Sequence, residues 1–322
     1  MHQAMHSSLP AKKRFDGDHF FAAVTRILAG LMLLLFVAVV FSLIERSGPS
    51  LFKFGLSFIW SMQWSPSTQE FGTLVAIVET LVTSMIAMMI AIPLSFAIAI
   101  TITITEWLPS WLGTTLARLV ELMAGIPSII YGMWGLFVFA PFLADHIQPE
   151  LINTLGQLPI FKYIFGGLPI GISVFTAGIV LALMVIPLIS SMMRDVMSNV
   201  PVTLKEAAYG AGATRLEVIW HIIVPYTRAG MLGSVILGLG RALGETMAVT
   251  FVIGNSHQLF TSLFMPGTTI SATIANEFTE AYGDLYRSSL MELGLILFVI
   301  TFIVLAISRA LLKQAKTRGG SQ

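Results

Sequence analysis

The sequence predicts an all-α, polytopic membrane protein with six transmembrane helices. Three observations predict it. Of 322 residues, 56% are hydrophobic and only 11% are charged, less than half the charged share of soluble domains. The apolar residues gather in long uncharged runs, each near or above the roughly 20 residues that cross a bilayer core. Lysine and arginine then fall unevenly on alternate sides of those runs.

The first run, Ile27 to Ile44, follows a mostly polar tail (residues 1–26) that contains Lys12, Lys13 and Arg14. It is longer than a signal-peptide core and no small-x-small cleavage pattern follows, so it reads as a retained anchor. Residues 45–72 form an outer segment in which Phe52, Phe54, Phe58, Trp60 and Trp64 suit an interfacial helix. The core, residues 73–312, holds the other five crossings. They read as Thr73 to Ile104 with Pro93 inside, Leu119 to Ala140, Ile170 to Met193, Met231 to Ile253, and Leu290 to Leu312. Residues 313–322 form a second tail.

With a cytoplasmic N-terminus, 13 of the 18 lysines and arginines lie on the inner side. Arg46, Lys53, Lys162 and Arg287 lie outside, and Arg241 falls within a crossing. This bias predicts an even number of crossings and two cytoplasmic termini. Glu79 and Glu121, near predicted span ends, read as reaching the interface.

A net charge of +1 gives no reason to expect nucleic acid as a partner, and six histidines show no metal-ligand spacing. Without cysteine there is no disulfide framework, zinc finger or thiol nucleophile. No G-x-x-x-x-G-K-[ST] loop is present. No catalytic residue or cofactor of this chain is therefore expected.

The longest inner connection, residues 194–230, predicts two short helices. Thr203 to Glu206 and Thr214 to Glu217 each match a T-x-x-E capping box. Gly210 and Gly212 supply a break, and Pro225 is expected to end the second helix. Glu206-Ala207-Ala208, then Gly212, then Ile222 and Pro225 follow the spacing E-A-A-x3-G-x9-I-x-L-P, with Val224 in the leucine position. This resembles the EAA motif of binding-protein-dependent ABC importer permeases. The resemblance implies a type I (MetI-like) permease architecture and a loop that docks a separate ATPase. Glu206, Ala207, Ala208, Gly212, Ile222 and Pro225 are then the docking residues, with Glu206 also able to serve as a cap.

In the fifth crossing, Arg241 lies about 15 Å beyond Met231 at 1.5 Å per residue, near the bilayer middle. An arginine there costs about 2.5–3.5 kcal/mol on the insertion scale. Glu245, four residues on, is expected on the same helical face as its ion-pair partner. Gly240 and Gly244 are expected to admit another helix closely. The pair reads either as a structural pin or as an anion site, since a guanidinium offers forked donors that suit phosphate oxygens.

Gly238 to Ala248, Glu121 to Gly132, Trp64 to Leu74 and Ala91 to Leu94 together resemble the PstC-type phosphate permeases. That resemblance implies a substrate path through Arg241 and Glu245, to which Ser128 and Tyr131 are added as candidates. It implies a bacterial inner-membrane location and a second, PstA-like permease. It also implies a PstB-like ATPase dimer that holds ATP and magnesium, and a PstS-like external phosphate-binding protein. A molybdate or sulfate permease, the paired PstA-type subunit, and a proton-coupled secondary anion transporter remain open at this point.

Overall fold

A computed structural model describes residues 17–103, 109–159 and 161–319 of the chain. Lys12, Lys13, Arg14 and the predicted end of the second crossing at Ile104 lie outside the described residues. Among the described residues six helices are long and apolar enough to cross a membrane. In chain order the elements are α1 (Gly17–Arg46), α2 (Gly48–Phe54), α3 (Leu74–Thr103) and α4 (Ser110–Ala124). Then come α5 (Ser128–Asn153), α6 (Val174–Ser198), α7 (Val202–Gly210) and α8 (Arg215–Leu243). The last are α9 (Met247–Ile253), α10 (Ile270–Glu277) and α11 (Gly283–Gly319). The crossings are α1, α3, α5, α6, α8 and α11.

The bundle is built around α6. Val174, Ala177, Val180, Ala182, Val185 and Ile189 on this helix are completely shielded. Lipid tails are as apolar as these side chains, so burial alone gives little drive, and close packing must hold the crossings together. Small residues supply it. A Cβ added at Gly178 would overlap Ile86 of α3, and one at Gly238 of α8 would overlap Ile189. Pro187 interrupts the ladder of α6, and the Ser95 hydroxyl of α3 donates to the neighbouring Ile186 carbonyl at 3.1 Å. By contrast α1 lies at the periphery. It packs on α11, where Phe36 and Phe298 meet with ring centroids 5.3 Å apart.

Residues 46–73, 161–173 and 254–282 meet at one end of the bundle, as the Trp64–His257 stack and the Leu263 amide on the Ile164 carbonyl record. The other end, richer in lysine and arginine, carries α4 and the loop from α6 to α8. There Arg194 of α6 pairs with Glu121 of α4 at 2.9 Å.

The structure corrects several sequence expectations. The third crossing is α5, running from Ser128 to Asn153, not from Leu119 to Ala140. Residues 119–124 belong to α4, a separate amphipathic helix, and Gly125-Ile126-Pro127 part the two. Pro127 thus precedes the crossing. Two π-helical turns, Gly135–Phe139 and Leu143–Ile147, lie within α5. The first helix begins at Gly17, so residues 17–26 are helix rather than tail, and α11 continues through Lys313 to Gly319. Gly240 and Gly244 hold no helix closely. A Cβ at Gly240 meets only Leu305 at ordinary distances, whereas Gly238 is tightly packed.

Candidate translocation path and docking surface

The loop between α6 and α8 folds as two short helical pieces, as its capping signals foretell, but only one predicted cap forms. At Thr214 both arms of the box are present. Its amide donates to Glu217 Oε2 at 2.7 Å, and its hydroxyl receives the Glu217 amide at 3.4 Å. At Thr203 no box forms, because α7 starts two residues earlier than that cap requires, after Pro201. Glu206 is therefore free of a capping role and stands exposed with Ala207. Gly212, at φ +86°, makes the reversal between α7 and α8, a backbone that only glycine adopts without strain.

Pro225 does not end the second helix. A π turn over Ile219–Ile223 shifts the ladder, so that the Val224 amide bonds to the Ile219 carbonyl. The proline follows that offset, where its missing donor is tolerated, and α8 runs on unbroken to Leu243. A cleft of about 370 Å³ opens between α7 and the start of α8, lined by Ala208, Ala211, Gly212, Ala213, Val218 and Ile222 among others. Motif residues Ala208, Gly212 and Ile222 thus border one concave surface, with Glu206 and Ala207 on the exposed helix beside it.

The fifth crossing is broken where the sequence reads as continuous helix. Helix α8 ends at Leu243, residues 244–246 are non-helical, and α9 resumes at Met247. The predicted same-face ion pair is absent for that reason. Arg241 sits in the last turn of α8, and its Nη2 lies 3.9 Å from the sulfur of Met184. Glu245 sits in the break and accepts the Ala248 amide of α9 at 3.4 Å. Among the described residues no hydrogen bond or ion pair joins the two. Apart from the Nη2 contact with the Met184 sulfur, the guanidinium has no carboxylate partner among the described residues, an arrangement suited to an oxyanion.

Ser128 and Tyr131 occupy the first turn of α5. Ser128 is half-buried. Tyr131 is nearly enclosed, and its hydroxyl donates back across the 125–127 turn to the Met123 carbonyl at 2.9 Å. Its polar tip is thereby committed to holding α4 against α5. Nearby, Gly132 packs so closely on α9 that a Cβ would meet Phe251 and the Ala248 backbone. The start of α5 and the helix after the break are thus neighbours.

Two carboxyl groups at the opposite end carry more structure than sequence reasoning assigned them. Glu79 does not reach the interface. It is fully buried, and its oxygens accept the amides of Phe260, at 3.3 Å, and of Thr268. The signal was available: Glu79 is the one charged residue of α3, and a lone ionisable group inside a crossing implies a specific partner. Glu277 gathers Trp64 Nε1 at 2.7 Å, His257 Nε2 at 2.7 Å and the Tyr286 hydroxyl at 2.5 Å. Burial pushes its carboxyl upward, but the bonds from His257, Tyr286 and Trp64 outweigh that and hold it below its ordinary range.

With this geometry in view, comparison with known proteins is decisive. Residues 91–317 match the family described as the binding-protein-dependent transport system inner membrane component. The phosphate transport system permease protein PstC of Pasteurella multocida is 53% identical, over 93% of each chain. The chain belongs to the PstC permeases. The PstC protein of Haemophilus influenzae is likewise 53% identical, over 94% of this chain and 95% of its own. An inward-facing structure of the MetNI methionine ABC transporter matches 74% of this chain and 94% of its own, with a TM-score of 0.55 at 14% identity. At that identity the likeness concerns the fold alone, and it supports the type I importer architecture. A PstC permease is a multi-pass membrane subunit of a multi-subunit ABC complex and a transport component.

Proposed function

We propose that this chain is the transmembrane permease subunit of an ATP-driven phosphate importer. The observation that carries the reading is the break at residues 244–246, which leaves Arg241 without a carboxylate partner among the described residues, close in sequence to the Glu245 carboxyl group. A forked cation without a fixed partner binds an oxyanion; one locked to its own carboxylate does not. Glu245 accepts a hydrogen bond from a protonated phosphate oxygen, and Ser128 and Tyr131 flank the path at the start of α5.

Coupling runs through the EAA loop. The exposed face around Glu206 and Ala207, and the cleft bordered by Ala208, Gly212 and Ile222, receive a PstB-like ATPase dimer that holds the ATP and magnesium. Pro225, within α8 just past its π turn, passes the movement on. A PstA-like permease completes the membrane channel, and a PstS-like protein delivers phosphate. The 13 to four division of lysine and arginine supports both termini cytoplasmic, and the PstC likeness supports a bacterial inner membrane.

The test is uptake of labelled phosphate by proteoliposomes holding the whole complex, with the delivery protein and ATP. Phosphate uptake that excess sulfate and molybdate do not inhibit is expected. Preferred uptake of either competitor, or uptake without ATP, refutes the reading.

A further inference from the structure

Glu79 brings a carboxyl group into α3, and two backbone amides offset the cost of burying it. Those amides belong to one distant segment, the loop that joins α9 to α10. The adjoining Thr80 hydroxyl accepts the Ile270 amide at 3.0 Å. The loop is also bound to the start of α6, where the Phe175 amide meets the Leu263 carbonyl at 2.9 Å and the Val174 amide meets the Met265 carbonyl at 3.2 Å. At Gly267 the contact is so close that a Cβ would overlap Glu79 Oε2 and Val174. This loop is clamped between two crossings.

The clamp reaches the fifth crossing. Helix α9 leads straight into the loop, and the Gly267 amide bonds back to the Ile253 carbonyl at 2.9 Å. So α9, the loop and the start of α10 form one block. Helix α8 packs on α3, α6 and α11, whereas α9 packs on α5, α6 and α10. Between them, a Cβ on Gly244 would meet only the Gly240 carbonyl of its own helix, so the break is open at its first residue.

We infer that Glu79 is a positioning residue for transport: it anchors the block that follows the break, so that movement entering through α7 and α8 is taken up at Gly244–Thr246. The fifth crossing then bends between Arg241 and Glu245 instead of moving as a rod, and the spacing of guanidinium and carboxyl changes with each stroke. This rests on the proposed ATP-driven function.

The chain has no cysteine, so spin-label pairs can be introduced without removing a native thiol. Leu81, Leu204, Leu237 and Leu259 are all on its surface. In the reconstituted complex, ATP binding should move Leu204 relative to Leu81 and Leu237 relative to Leu259. The Leu81–Leu259 distance, across the clamp, should stay within about 2 Å, the scale of small helix shifts. Glu79→Gln puts an amide donor where an acceptor is needed. It should loosen the Leu81–Leu259 pair and lower phosphate moved per ATP at least about threefold, a typical coupling effect. A larger ATP-dependent change in Leu81–Leu259 in the unsubstituted complex overturns the clamp, as does a fixed Leu237–Leu259 distance while Leu204 moves. If no pair moves, the docking role of the loop fails with it. Should Glu79→Gln not assemble, the unsubstituted distances decide alone.

Discussion

Arg241 and Glu245 are separated at a break in one crossing, the first at the end of α8 and the second within the break, where it accepts the Ala248 amide of α9. Four residues apart on an unbroken helix they would neutralise each other. Here each has a separate neighbour, and their charges act separately.

Separate action has a kinetic signature. Arg241→Gln removes a charge-assisted contact worth about 1.5–3 kcal/mol, which predicts at least a roughly tenfold fall in uptake with the complex intact. Exchanging the two, Arg241→Glu with Glu245→Arg, should restore nothing. Recovery of uptake in the exchanged pair would show that they work as an ion pair after all.

The two capping-box candidates of the docking loop give a matched experiment. Thr214→Ala removes a formed box and should cost the start of α8 about 1 kcal/mol. Amide exchange over residues 214–218 should then rise about fivefold, with weaker co-purification of the ATPase. Thr203→Ala should change neither, because no cap forms there. Equal effects of the two substitutions would contradict the observed helix starts.

Glu277 sets a pH limit at the opposite end. Its folded carboxyl lies below the ordinary 4.5. A depressed acid stabilises the fold fully above its unfolded pKa, and that contribution is lost as pH falls through the lower folded value. The cluster with Trp64, His257 and Tyr286 should therefore hold at and above the ordinary value and open only below it. Indole fluorescence, corrected with Trp64→Phe, follows the opening. Glu277→Gln should abolish this acid transition; a transition unchanged in that variant would place its cause elsewhere.

Most of the membrane architecture was legible in the sequence because a crossing is announced by its own residues. The second and fourth apolar runs fall close to α3 and α6. The third was misplaced because residues 119–124, apolar on one face of α4, abut the true crossing across only three residues. The break after Leu243 was hidden because Gly-Glu-Thr continues a helical spacing on paper, and what parts the halves is their different packing. Glu79 shows the same limit. Its partners are more than 180 positions away, and they are backbone amides, which leave no mark in the residue pattern.

Packing at α8 separates two glycines that look alike in sequence. At Gly238 an added Cβ would lie 2.5 Å from both Cγ1 and Cδ1 of Ile189, a side chain with no exposure and no room to withdraw. Gly238→Ala should therefore cost about 1–3 kcal/mol through overpacking. At Gly240 the nearest atom is a Leu305 methyl at 3.4 Å, an ordinary contact. There the alanine substitution gains up to about 1 kcal/mol of helix propensity, and thermal stability of the purified chain should hold or rise. The reverse order of melting would mean that α8 packs on α11, not α6, through its glycines.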